Sequence, residues 1–559
     1  MTLATAPAGG STVTDSASST VATGSSRRWQ RQRRRPVLAA LSVAVAVLVL
    51  LPLVFLVLQA GQAGWGEVRT LLFRSLTWQL LRNTVELAVL VTAACTTIGV
   101  AAAWIVERTN VPLRRVWAVL LVLPFAIPDF VTGYAWSSIF PSVHGLWGAV
   151  LVMTLGLYPL VFLPVAAALR GADPAQEEVA RSLGHGRVRT FRRVTLPSLR
   201  PALLGGGLVV CLTLFAEFGA FEILRFQTFT TTIFTEFQIG FNGPAASALS
   251  LALVALGLVA LGTEGMLSSG RGGRGRISAA SRQASRMPTR RRLGGWTAPV
   301  LLALAALAGL ALGLPAAVLT YWMTQSHATT LPGVSMIAAA AHTAAYSAAA
   351  AALATVLALP VALYTVRRGG RAAAILQRST LVVQALPGLV IALAAVFYAI
   401  HYAPWVYQTP ELLVVAYAIL FYPLAFVAVR ASVVLAPPRL DEVARSLGRR
   451  PAAVLVRVTI PLVAPGLAAA FCLVFLTAVT ELTATLILVP TGVETLATQF
   501  WAYQHDASYG AAAPYAVALV AIAAIPSYLI GRWFDRLPSR RSTGAPLTGA
   551  PSAEAEAGR

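Results

Sequence analysis

The sequence predicts an all-α polytopic membrane protein of about 12 transmembrane helices, arranged as two homologous six-helix halves, each with a cytoplasmic helical hairpin. Of the 559 residues, 57% are hydrophobic and 11% charged, less than half the charged share of ordinary soluble domains, which is about 25%. Apolar runs of about 20 residues, the length needed to cross a bilayer, recur along the whole chain. Between them one polar stretch occurs twice: Glu178-Val-Ala-Arg-Ser-Leu-Gly184, nine residues, Val194-Thr-Leu-Pro197, and then Glu442-Val-Ala-Arg-Ser-Leu-Gly448, nine residues, Val458-Thr-Ile-Pro461. Every matched position is offset by 264. An amphipathic repeat at half-chain separation marks two related halves, each presenting a hairpin to the same compartment.

In chain order, residues 1–36 are rich in Ser, Thr, Ala and Gly and end in six arginines between Arg27 and Arg35. This segment is expected to be a disordered, basic, cytoplasmic N-terminus that anchors to the anionic inner leaflet rather than to nucleic acid. The apolar run that follows, from Val37 to Gln59, is too long for a signal h-region and reads as a first span. Further spans are expected at roughly 83–105, 116–138, 146–169, 199–224 and 245–266, completing a first half over 37–266. A Gly/Ser/Arg-rich cytoplasmic linker covers 267–296. The second half, 297–535, repeats the pattern at roughly 297–322, 343–365, 379–400, 411–433, 463–489 and 514–533, before a tail at 536–559. Twelve spans put both termini on one side. The arginine-rich loops then share that side, which the positive-inside rule makes cytoplasmic.

Each hairpin has a local logic. In the first copy Asp173 can cap a helix that starts at Pro174, with Gln176 completing a capping box, and Gly184 can take the left-handed conformation that ends it. A second short helix carries Val188, Phe191 and Val194 on one face, and Pro197 is expected to stop it. The second copy has Pro437 and Pro438 in place of the acidic cap. Further matches reinforce the duplication: Tyr158-Pro159 with Tyr422-Pro423, and Ile127-Pro128 with Leu386-Pro387, the latter offset by 259. Prolines inside spans imply kinks where the freed carbonyls meet protein or a water-lined cavity.

Several activities are excluded. All basic residues other than histidine are arginine, and without lysine the chain cannot form a phosphate-binding P-loop. The six histidines, His144, His185, His327, His342, His401 and His505, show neither i, i+4 pairing nor an HExxH pattern, so no catalytic constellation emerges. Cys95, Cys211 and Cys472 lie in apolar segments without metal-ligand spacing and read as small core residues. Two acids within spans, Glu217 and Glu481, are again 264 apart. A carboxylate in hydrocarbon is costly, so this pair is a candidate for the outer mouth of a two-fold pathway, where it would attract cations; local pairing with an arginine such as Arg225 is the alternative.

The repeated stretch resembles the EAA loop of ABC-importer permeases. The resemblance carries ATPase coupling to Glu178, Ala180, Gly184 and Pro197, and to Glu442, Ala444, Gly448 and Pro461. It implies two copies of a separate ABC ATPase subunit, an external or periplasmic substrate-binding protein, and a location in the bacterial inner membrane. It also implies that this chain binds no cofactor of its own and that ATP is handled on the partner. The segments Leu123-Pro-Phe-Ala-Ile-Pro-Asp-Phe-Val-Thr-Gly-Tyr-Ala-Trp136, Gln227-Thr-Phe-Thr-Thr-Thr-Ile-Phe234 and Glu481-Leu-Thr-Ala-Thr-Leu-Ile-Leu488 look like those of fused iron(III)-importer permeases, with Thr483 where that family has proline. Ferric iron is therefore the expected substrate, and hard oxygen ligands suit it. A thiamine or polyamine importer permease and an ion-coupled secondary transporter are the alternatives.

Overall fold

A computed structural model describes residues 36–62, 64–172, 174–268, 291–325 and 333–536. The predicted N-terminal segment, most of the linker, Asp173 and the C-terminal tail lie outside them. The described residues are helical throughout, apart from short connections and one isolated bridge between Thr109 and Arg291. Among the described residues nine helices are long and apolar enough to cross a membrane, and eleven spans result if two sharply bent helix pairs are each counted as one. A further helix, Tyr509–Arg536, carries a shorter apolar run over Tyr509–Ala524.

Several expected spans are longer than the hydropathy alone suggested. The runs at 83–105 and 343–365 belong to helices Ser75–Arg108 and Val334–Arg368, whose polar ends extend beyond the hydrocarbon-length segment. Two others are not straight. The run expected at 116–138 turns by 89° between Arg114–Ala126 and Asp129–Ile139, and that at 379–400 turns by 100° between Gly370–Gln384 and Gly388–Tyr402. Both bends fall at the matched prolines, Pro128 and Pro387. Each proline lacks an N–H and is held extended, with ψ of 140° and 152°, so the ladder cannot continue through it.

The spans expected at 199–224 and 463–489 end early, at Ala216 and Val479, and the chain restarts in the short helices Gly219–Ile223 and Thr483–Leu488. At their other ends these spans begin sooner than expected, because Pro197 and Pro461 do not stop the short hairpin helices. A wide π-turn, Phe191–Thr195 or Leu455–Thr459, leads each hairpin helix directly into the span, giving continuous apolar helices Val188–Ala216 and Pro451–Val479. Each proline falls in the first turn after the π segment, where a missing N–H is tolerated.

Close helix approach inside each half depends on small side chains, as expected where lipid offers no hydrophobic drive to pack. A Cβ on Gly99 would come within 2.9 Å of Val161, and one on Gly206 within 3.0 Å of the Leu160 carbonyl. Ala350, Ala351, Ala354 and Ala358 line the matching face of the second half. The first helix of each half bridges the two halves: Pro36–Gln62 packs on Gly243–Ser268 of its own half and Leu314–Gln325 on Tyr509–Arg536 of its own, and each also reaches across. Pro36–Gln62 packs on Val334–Arg368, Gly370–Gln384 and Gly388–Tyr402, with Ser42 Oγ donating to the Pro360 carbonyl at 3.2 Å. Leu314–Gln325 in turn packs on Asp129–Ile139 of the first half, where Trp322 Nε1 donates to Ser138 Oγ at 3.0 Å. The halves also share a core: Phe130, Val131 and Tyr134 pack with Leu482, Leu496 and Phe500, and Tyr134 Oη donates to the Tyr509 carbonyl at 2.6 Å.

Candidate functional site

The two hairpins have the same backbone. The first helix runs Pro174–Ser182 in one and Pro438–Ser446 in the other. Gly184 and Gly448 follow with φ of 81° and 79°, the left-handed conformation that a side chain disfavours. Glu178 and Glu442 are exposed, whereas Ala180 is buried and Ala444 half-buried. Around the glutamates Val179, Leu183 and Val188 stand exposed in the first copy, and Val443, Leu447 and Val456 in the second. Each hairpin therefore shows an apolar surface edged by one carboxylate, the kind of patch that marks a protein contact.

At the far ends of the spans that leave the hairpins, Glu217 and Glu481 sit at the helix breaks rather than within unbroken helices. Each carboxylate closes the break beside it: Glu217 Oε1 accepts from the Ala220 N–H at 2.7 Å, and Glu481 Oε1 from the Ala484 N–H at 3.0 Å. Downstream, Thr228 with Thr231 and Thr495 with Thr498 form reciprocal capping boxes. Thr84 Oγ1 accepts from the Phe229 N–H at 3.4 Å, and Thr343 Oγ1 from the Leu496 N–H at 2.9 Å, fixing each restart to the second helix of its half.

The two breaks meet at the interface between the halves. A Cβ on Gly219 would lie 2.6 Å from Leu482 Cδ2, and the Phe218 and Trp501 rings are 5.4 Å apart. Both acids are half-buried, and among the described residues neither makes an ion pair; Arg225 does not serve as partner. Glu217 lies within electrostatic reach of Glu481 and also of Asp129, at the bend of the third span. The sequence reading passed over Asp129, although an acid directly after a proline in an apolar run was a usable signal. It also passed over Glu177 and Asp441, offset by 264, which are half-buried and buried inside the hairpins. Among the described residues, no three His, Cys, Asp or Glu side chains are grouped so as to hold a metal ion.

Duplicated helical halves with broken, acid-bearing spans at their interface, and two identical surface hairpins on the opposite side, define a membrane permease that is driven from outside its own chain. The chain belongs to the family of binding-protein-dependent transport system inner membrane components, which its residues 95–270 and 354–543 match. It is the permease component of an ABC importer and works with an ATPase, which hydrolyses the ATP, and with a binding protein. It is 34% identical to the Fe(3+)-transport system permease protein FbpB 2 of Haemophilus influenzae over 508 residues, which are 90% of this chain and 99% of the relative. It is 30% identical to the sulfate transport system permease protein CysT of Salmonella typhimurium over 38% of this chain and 83% of the relative. A probable molybdenum ABC transporter permease of Haloferax volcanii is 31% identical over 27% of this chain and 60% of its own length.

Proposed function

We propose that this permease imports ferric iron from an external binding protein to the cytoplasm. The observation that carries this reading is the similarity to an Fe(3+)-transport permease along nearly the whole of both chains, fused halves included; the sulfate relative matches a single region. The acids at the interface support it. Three acids gather there, with no arginine paired to Glu217 or Glu481 among the described residues, and oxygen groups without a fixed cation beside them suit a hard cation better than sulfate or molybdate. They serve as a cation-attracting surface for a passing substrate rather than as a chelating site.

The hairpins dock two copies of the ATPase, one each, through Glu178, Ala180, Gly184 and Pro197 and through Glu442, Ala444, Gly448 and Pro461. Closure of the ATPase dimer on ATP draws the hairpins together, and the continuous helices Val188–Ala216 and Pro451–Val479 carry that movement to the breaks at Glu217 and Glu481. ATP supplies the differential free energy, because a substrate that bound both states equally would shift nothing. The protein lies in the bacterial inner membrane with both termini and the linker in the cytoplasm, and its halves span 37–266 and 297–535.

The deciding experiment is uptake of radiolabelled ferric iron by a deletion strain lacking redundant systems, complemented with the intact chain. Binding-protein-dependent uptake should return with the gene. Normal ferric uptake without the gene, together with lost thiamine, polyamine or sulfate uptake, would move the assignment to that substrate. Reporters fused near Ser281 and at either terminus should all report cytoplasm; an external signal at the linker would overturn the topology.

A further inference from the structure

Each hairpin is held from within by an acid that points away from its exposed face. In the first half Glu177 Oε1 accepts from Thr195 Oγ1 at 3.0 Å and lies 3.5 Å from an Arg108 guanidinium nitrogen, while Oε2 meets Arg181 at 3.2 Å. In the second half Asp441 Oδ1 accepts from Thr459 Oγ1 at 3.0 Å, and Oδ2 is bonded to Arg367 and lies 3.9 Å from Arg445. Acid, threonine and hairpin arginine are offset by 264, like the hairpin itself. The two deep arginines are offset by 259, the spacing of the third-span prolines.

The positions of these residues give the network its meaning. The acid is in the first hairpin helix, the threonine is the last residue of the π-turn that opens into the next span, and the arginine ends or nearly ends the second helix of the half. Thr195, Thr459, Arg108 and Asp441 are all buried, so these bonds are shielded from water, where charge-assisted contacts hold geometry best. They join the hairpin to the membrane domain at a point away from its own two chain ends. One end passes through a π-turn, and the loop between the helices hinges on a glycine. In the first half the lock extends further, since the Arg108 carbonyl accepts from the Arg291 N–H at 2.9 Å and ties the end of the linker to the same corner.

We propose that Glu177 and Asp441 are positioning residues for energy coupling. Each locks its hairpin to the cytoplasmic end of Ser75–Arg108 or Val334–Arg368, so that hairpin movement is delivered to a third helix of the half and is not absorbed at the π-turn. This rests on the reading of the hairpins as ATPase-docking surfaces.

The test uses the full transporter, with its ATPase and binding protein, in proteoliposomes, and reads ATPase retention, hydrolysis and ferric iron moved per ATP. E177Q with D441N should keep the ATPase bound and hydrolysing while iron moved per ATP falls about tenfold, the size expected of one weakened charge-assisted bond in each half. T195V with T459V, which removes one hydroxyl per half, should shift the ratio in the same direction, and T195S with T459S should restore it. An unchanged ratio in E177Q with D441N overturns the proposal. So does loss of the ATPase from that variant, because the acids would then belong to the docking surface. If E177Q with D441N does not reach the membrane, normal coupling in T195V with T459V overturns it. The docking reading is judged separately: retained ATPase and full uptake in E178A with E442A would sink it, while the ratio in the lock variants still reports on Glu177 and Asp441.

Discussion

At the bend of the third span the first half places Asp129 against Gly156, whereas the second half places Gly388 against Leu420. A Cβ on Gly156 would meet Asp129 Oδ1 at 2.6 Å, and one on Gly388 would meet Leu420 Cδ2 at 3.2 Å and Glu481 Oε1 at 3.0 Å. The same space is filled from opposite sides, by an acid in one half and a leucine in the other. Elsewhere the halves agree closely: capping boxes, helix-closing glutamates, left-handed glycines and hairpin locks all recur. The hairpin side of the first half has one further addition, with Glu107 paired to Arg170 at 2.8 Å and to Arg114 at 3.6 Å. Val366, Val434 and Ala373 stand at the corresponding second-half positions. The hairpins and helix breaks are thus alike in the two halves, while the interior differs. The acids at the interface are unevenly shared, Asp129 and Glu217 coming from one half and Glu481 from the other.

The largest expected effect bears on the part that is alike. G184V with G448V forces β-branched residues into left-handed backbone at a cost of about 1–2 kcal/mol each, enough to reshape both hairpins. Uptake should be lost while the chain remains membrane-inserted. Making each change alone then sharpens the comparison, since equal losses measured by transport assay would mean that the two hairpins contribute equally despite their different first turns.

Next comes the charge at the interface. Charge-lined clefts raise cation delivery by about 10- to 1,000-fold, and E217Q with E481Q should cut ferric uptake by about tenfold without loss of assembly. D129N alone should produce a smaller loss of the same sign. Uptake unaffected in both variants would mean that Glu217 and Glu481 only close helix breaks, a role glutamine can keep through its carbonyl.

The exchange at the bend is open to a double-mutant cycle. G156L alone overfills its site and should destabilise the protein by about 1–3 kcal/mol. D129G with G156L recreates the second-half arrangement and should recover most of that, measured by thermal denaturation in detergent. No coupling between the two changes would mean that the Asp129–Gly156 and Gly388–Leu420 arrangements are not equivalent. The smallest effect on transport is expected of E107Q: its carboxyl is buried against Arg170 and Arg114, far from the interface acids, and weakening these charge-assisted contacts costs about 1–3 kcal/mol. Stability should fall within that range and uptake should stay unchanged.

What the sequence determined follows from local and repeated signals. Hydropathy located the spans because burial in lipid needs a continuous apolar run, and the 264-residue offset exposed the duplication because both hairpins kept their glutamate, glycine and proline. The left-handed glycines and the bends at Pro128 and Pro387 follow from backbone sterics that act within a few residues. What only the tertiary structure decided depends on partners distant in sequence. Pro36–Gln62 could not be read as a helix packed on the second half, since lipid and protein present an apolar face with nearly the same environment. The early ends at Ala216 and Val479 are set by carboxylates that close the breaks and by threonines reaching from another helix, none of which shows in a hydropathy window. In the sequence Glu177 and Asp441 are two more charges on an amphipathic hairpin. Their role depends on Arg108 and Arg367, 69 and 74 residues earlier in the chain, which the fold alone brings beside them.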